Sequence, residues 1–226
     1  MSKETNNIPT PRMTVAGFTA IQKPTWDFNK TSKEYQIKVA IDADEAEQFL
    51  ADMNELVDAE YKRVLKEKPK LKKVLKKTDI GEVEYDDDGE ETGRILFKFK
   101  QKAVIEFTNK QGEKDTFEKK VALFDSRGKL IKKPVRIGTG SIVIVSFEPN
   151  PYFTEKDKEV GMSFNRLAGV QLIKLVEYEG GGSASADDMG FGAVDDDDAF
   201  DADEYVADEG DDTAGDNSEE PEIKDF

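Results

Sequence analysis

What most limits the fold of this chain is the change of character at Gly180-Gly181-Gly182-Ser183. From Ser183 to Phe226 there are 18 Asp and Glu residues and one base, Lys224. The whole chain carries −16, so residues 1–182 stand near neutrality at +1. A stretch so charged and so poor in apolar side chains cannot offset the entropy of ordering it. This predicts one folded domain over 14–179, a flexible N-terminal arm over 1–13, and a glycine linker with a disordered acidic tail over 180–226. Met189, Phe191, Phe200, Tyr205 and Ile223 interrupt the acids, and the sequence closes on Asp225-Phe226. Acidic tracts with spaced aromatics have the composition of interaction tails; a plain solubility tail is the blander alternative.

Histidine and cysteine are both absent. That removes the imidazole base, the thiolate nucleophile, the Cys/His zinc site and the disulfide framework. Catalysis would have to rest on carboxylates, lysines or hydroxyls. Gly138-Thr139-Gly140-Ser141 lacks the lysine and spacing of a phosphate-binding loop. Asp86-Asp87-Asp88-Gly89-Glu90 lacks the ligand spacing of a calcium loop, and its carboxylates crowd a turn where a two-metal nuclease would need separate rigid elements. The expectation is a non-enzyme without metal or cofactor. The first residues lack the apolar core of a secretory signal and no apolar run is long enough to span a bilayer, which predicts a soluble intracellular protein.

Hydrophobic periodicity gives the elements. Thr14–Lys23 and Glu34–Ile41 read as strands, the second with Tyr35, Ile37, Val39 and Ile41 on one face and Glu34, Gln36 and Lys38 on the other. Phe49, Leu50, Met53, Leu56, Val57, Tyr61, Val64 and Leu65 recur at helical spacing, with an Asp42/Glu45 capping box at the start and Pro69 at the end. A short helical piece through Leu71, Val74 and Leu75 follows. Glu82–Tyr85 leads through a hairpin into a long strand, Arg94–Phe107, and Thr116–Phe124, Ser141–Phe147 and Ala168–Tyr178 read as three more. Tyr152 and Phe153 fall in a segment read as loop. About six strands with one inserted helix favour a mainly β, antiparallel Greek-key barrel.

Basic and acidic blocks alternate along this body. Residues 62–77 hold nine bases against Glu67, and residues 94–136 hold thirteen against five acids. In the strand from Arg94 the pleat puts Lys98, Lys100 and Lys102 on one face, about 7 Å apart, and Phe97 and Phe99 on the other. That spacing is comparable to phosphates on an extended single strand, though lysines also guard ordinary sheet edges. Trp26, Tyr152 and Phe153 sit in polar contexts, where they either stack bases beside a basic groove or cap the end of a barrel. The candidate nucleic-acid contacts are Lys23, Trp26, Lys33, Arg94, Lys98, Lys100, Lys102, Arg127, Lys129, Tyr152 and Phe153.

Several stretches carry a family resemblance. They are Ile21-Gln22-Lys23-Pro24 with Trp26; Phe97-Lys98-Phe99-Lys100; Asp125-Ser126-Arg127-Gly128-Lys129 with Pro134 and Ile137–Ser141; and Pro151-Tyr152, the strand Val170–Glu177, the triple glycine and an acidic tail ending in Asp-Phe. In this order they resemble the single-stranded DNA-binding protein of the T-odd (podovirus-type) tailed phages. The resemblance implies an oligonucleotide-binding (OB) barrel of five to six strands with an added helix, coating of single-stranded DNA during phage replication and recombination, and residence in the infected host's cytoplasm. It further implies a tail whose terminal aromatic, here Phe226 beside Asp225, docks the phage DNA polymerase and helicase-primase and competes with DNA, and a tendency to form homodimers. Lys102 stands where the family has a tyrosine, and the basic segment 62–77 is a departure suited to duplex DNA, since phosphate attraction ignores sequence. The rival from another class is a nucleic-acid mimic or basic-protein chaperone whose polyanionic tail is the active part.

Overall fold

The computed structural model describes residues 6–109 and 111–177, so the expectations for the linker, the tail, Asp225 and Phe226 lie outside the described residues. In chain order the elements are β1 (Ile8–Pro9), β2 (Met13–Trp26), β3 (Lys33–Asp42), α1 (Ala43–Glu67), a 3-10 helix (Pro69–Lys73), β4 (Lys76–Lys77), β5 (Glu82–Tyr85) and β6 (Glu91–Lys102). They continue with β7 (Val104–Thr108), β8 (Lys114–Glu118), β9 (Ala122–Phe124), β10 (Ile142–Phe147), β11 (Asn150–Thr154), β12 (Glu159–Ser163) and β13 (Leu167–Lys174). The protein is mainly β with one α-helix among the described residues. None of its described helices is long and apolar enough to cross a membrane.

The main sheet runs β5-β6-β3-β2-β10-β13-β9, with β1 added on β10. An isolated antiparallel bridge, Gln101 with Arg166, and the Lys100 N–H donated to the Phe164 carbonyl at 2.8 Å tie β6 to the approach of β13. Two pairings depart from the antiparallel expectation: β13 with β9, and β12 with β4, are parallel. Both join strands far apart in sequence, which leaves the long connection that parallel pairing requires. The arm is also more ordered than its prolines suggest. Ile8 and Pro9 pair with β10, and Thr10 exchanges hydrogen bonds with Val145 through its backbone N–H and its hydroxyl.

The long strand read from Arg94 to Phe107 divides at Ala103. There the N–H donates to the Lys33 carbonyl and the carbonyl accepts from Lys119, so β7 and β8 leave as a separate hairpin. Helix α1 begins after Asp42, but the Asp42 side chain makes no capping bond; Asp44 and Glu45 in the first turn complement the helix dipole instead. The helix ends at Glu67 ahead of Pro69, whose ring disfavours α geometry in the residue before it.

The inward face of α1 serves two cores. Its first half sends Ala46, Phe49 and Met53 into the sheet, among Val15, Ile37, Val39, Phe97, Phe99, Val143, Val145 and Phe147. Phe49, Phe97, Phe99, Phe147 and Phe164 have neighbouring ring centroids 4.9 to 6.5 Å apart, mostly edge to face. Its second half buries Val57 and Val64 against Leu75 and Val160, with Phe153 packed alongside. The helix thereby clamps the β11–β12 hairpin beside the open face of β6.

Candidate nucleic-acid interface

The ladder between β3 and β6 decides which charges meet. It sets Arg94 opposite Asp42, Lys98 opposite Lys38, Lys100 opposite Gln36 and Lys102 opposite Glu34. Phe97 and Phe99 are buried beneath, while Lys98 and Lys102 are exposed. Two ammonium groups directly across a ladder repel, so Lys38 and Lys98 form a pair that gains from an anion between them.

The β11–β12 hairpin makes the facing wall, a strand pair where the sequence predicts a loop; Pro151 has no N–H to donate to a ladder. Pro151 is tolerated at this edge, where β11 has only β12 beside it. Alternation along β11 then separates the two aromatics: Tyr152 turns toward Lys98, and Phe153 packs on the helix with the Lys68 ammonium 5.1 Å from its ring centre. Tyr152 lies opposite Gly161 in the ladder. A Cβ at Gly161 would meet the Thr78 hydroxyl and come within 2.8 Å of the Tyr152 hydroxyl, so only glycine leaves room for this ring.

Between the walls lie two clefts that meet at Asn150 and Asn165, which are hydrogen-bonded at 3.2 Å. The first, about 820 Å³, is lined by Lys38, Lys98, Tyr152 and Phe164, with Asp79 and Glu82 also facing it. The second, about 790 Å³, holds Lys100, Lys102, Lys119, Lys120 and Arg166 against Glu34 and Glu148. Both of its acids are taken, by Lys100 at 2.8 Å and by Arg166 at 2.6 Å. Lys102, Lys119 and Lys120 make no ion pair among the described residues, so this end of the trough is the cationic one.

Other expected contacts are placed elsewhere. Trp26 is 57% exposed at the end of the β2–β3 ladder, with the Lys33 ammonium 5.3 Å from its ring centre, and neither residue lines the two clefts. The turn after Trp26 is locked by Asp27, which accepts hydrogen bonds from Thr31 and Ser32. The Thr31 hydroxyl first, with the other donors, holds the Asp27 carboxyl down at about 2. Lys23 borders a separate, largely apolar cleft with Phe18 and Ile137. Arg94 pairs with Glu84 at 3.2 Å. Arg127 and Lys129 sit on the turn after β9, where the Asp125 carboxylate accepts both of their backbone N–H groups.

Lys38, Lys119, Lys120, Asn150, Asn165 and Arg166 escaped the sequence reading as site residues. Lys38 was legible as an outward residue of its strand, but its meeting with Lys98 depends on register between strands 60 residues apart.

A mainly β domain carrying a cationic trough lined with aromatics has the build of a single-strand binder. The family described as "Single-stranded DNA-binding protein, Bacteriophage T7" matches residues 13–175, and the chain belongs to that family, which is not an enzyme class. Its fold is similar to the crystal structure of gp2.5, a single-stranded DNA binding protein encoded by bacteriophage T7, at 21% identity and a TM-score of 0.59, covering 89% of this chain and 98% of that one. More distant is the single-stranded DNA-binding protein from bacteriophage Enc34 in complex with ssDNA, at 11% identity and a TM-score of 0.45, covering 78% and 91%. No curated protein sequence matches the chain.

Proposed function

We propose that this protein binds single-stranded DNA without catalysis, in the trough between β6 and the β11–β12 hairpin. Lys98, Lys100, Lys102, Lys119 and Lys120 neutralise phosphates and Tyr152 stacks a base, with Lys38 and Arg166 assisting; Trp26 with Lys33 receives the strand where it passes the end of the β2–β3 ladder. The observation that carries this reading is the group Lys102, Lys119 and Lys120, without partner acids, in a cleft continuous with that of Tyr152. Stacking on aromatic rings beside a cationic path binds any base, as a coating protein requires. The Gln101–Arg166 bridge between β6 and the residue just before β13 supports reading the main sheet as an OB-type barrel.

The finer reading comes from the sequence. As in the family it resembles, the protein coats single strands in the host cytoplasm during phage replication and recombination, and it tends to self-associate. The acidic segment 183–226 is a tethered competitor for the trough at high effective concentration. DNA displaces it and frees Asp225 and Phe226 to dock the phage polymerase and helicase-primase. The segment 62–77 offers a secondary contact for duplex DNA.

Titration of single- and double-stranded oligonucleotides at several salt concentrations tests this, with the full chain and with one ending at Gly182. Single strands should bind better than duplex, with a log–log salt slope near −0.7 per phosphate neutralised, and the shortened chain should bind more tightly. Equal affinity of the two chains removes the competition; no binding by either removes the function.

A further inference from the structure

The β7–β8 hairpin stands apart from the main sheet, and apart from the half-buried Ile105 its strand residues are exposed. Its ladder pairs Val104 with Glu118, Ile105 with Phe117, Glu106 with Thr116 and Phe107 with Asp115. Alternation therefore collects Ile105, Phe107 and Phe117 on one face together with Asp115, the partner of Phe107, while Glu106 and Glu118 fall on the other. Phe107 is 43% and Phe117 55% exposed, on a type of two-stranded ribbon that is marginal in water by itself. Folding makes little use of these rings. Ile105 lines the cationic cleft with Lys102, Lys119 and Lys120, so the ring-bearing face continues that cleft and the two glutamates are turned from it.

We propose that the Ile105–Phe107–Phe117 face is an aromatic arm of the trough, on which bases of an unpaired strand leaving the cationic cleft stack. This rests on the trough being the single-strand path. Phe107 and Phe117 are diagonal neighbours in the ladder, with roughly 7–8 Å between such positions, which suits consecutive bases of an extended strand. A second copy is the poorer occupant. Pairing this face with itself would bring two groups of Lys102, Lys119 and Lys120 together, whereas a polyanion is drawn to them.

The full chain is compared with a Phe107→Ala/Phe117→Ala variant and a Phe107→Tyr/Phe117→Tyr variant, using fluorescence anisotropy with oligothymidylates of increasing length and thermal melting as a check on folding. Short oligonucleotides that fill the trough should bind all three alike. Beyond the length that reaches the arm, the alanine variant should fall about tenfold or more behind, since one stacked base contributes roughly that factor, and the tyrosine variant should match the parent. An alanine variant that follows the parent at every length overturns the arm. So does one that changes only the sedimentation of the protein, which would assign the face to a second copy. If Tyr152→Ala weakens short oligonucleotides while the arm variants change nothing, the arm alone falls; if the parent binds no oligonucleotide, the trough falls with it.

Discussion

Two lysine-rich regions of this molecule look alike as strings of residues and differ as surfaces. In segment 62–77 three of the nine cations stand against acids: Arg63 holds Glu60 and Glu67, Lys68 holds Glu155, and Lys77 holds Asp58. Lys70, Lys72 and Lys73 stand on the 3-10 helix, where nothing is buried, and none of them lines either cleft of the trough. In the trough, Glu34 and Glu148 are occupied by Lys100 and Arg166, and Lys102, Lys119 and Lys120 remain beside a cleft that runs on to Phe164 and Tyr152. A local excess of lysine is therefore a weak guide to a binding path. What separates the two regions is the cleft that gathers the lysines of the trough left unpaired among the described residues and leads on to the Tyr152 ring.

Matched triple substitutions put the greatest strain on this distinction. Lys102→Ala/Lys119→Ala/Lys120→Ala should lower single-strand affinity roughly a hundredfold at low salt and flatten the log–log salt slope by about 2, at ~0.7 for each lost phosphate contact. The same change at Lys70, Lys72 and Lys73 should leave single-strand affinity within about threefold and act on duplex binding instead. Equal losses from the two triples would erase the difference between the regions.

Tyr152→Ala comes next, costing about 1–3 kcal/mol of single-strand binding in a fluorescence titration, while Tyr152→Phe should retain most of it. Phe153→Ala should lower the melting temperature more than the affinity, because its ring packs on the helix core. Gly161→Ala should weaken binding less than Tyr152→Ala does, by pushing the tyrosine out of place without removing it.

The smallest effect is at the turn after Trp26. Asp27 is held at about 2, below its ordinary 3.8, so its support of the turn is present above 3.8 and lost as pH falls through about 2. The protection of the Thr31 amide, taken relative to the intrinsic exchange rate at each pH, should hold at neutral pH and fall across that acid window. Asp27→Asn should show reduced protection of that amide already at neutral pH.

Much of the fold was legible from the residues. Phe49 to Leu65 kept helical spacing because one face of α1 is buried along its length, and Lys98 and Phe99 alternated because β6 is covered on one side only. Tyr152 was marked by an aromatic in a polar, proline-rich context, although its segment was read as loop. Lys38 and Arg166 needed the register of distant strands, which no local pattern carries. Arg127 and Lys129 were legible as turn residues, whereas their absence from the lining of the two clefts was not.

Lysine footprinting by limited acetylation and mass spectrometry, with and without a saturating oligothymidylate, tests most directly whether the trough is the path of the strand. Lys98, Lys102, Lys119 and Lys120 should become protected while Lys70, Lys72 and Lys73 stay reactive. Protection of the 3-10 helix lysines with the trough lysines still reactive would contradict it.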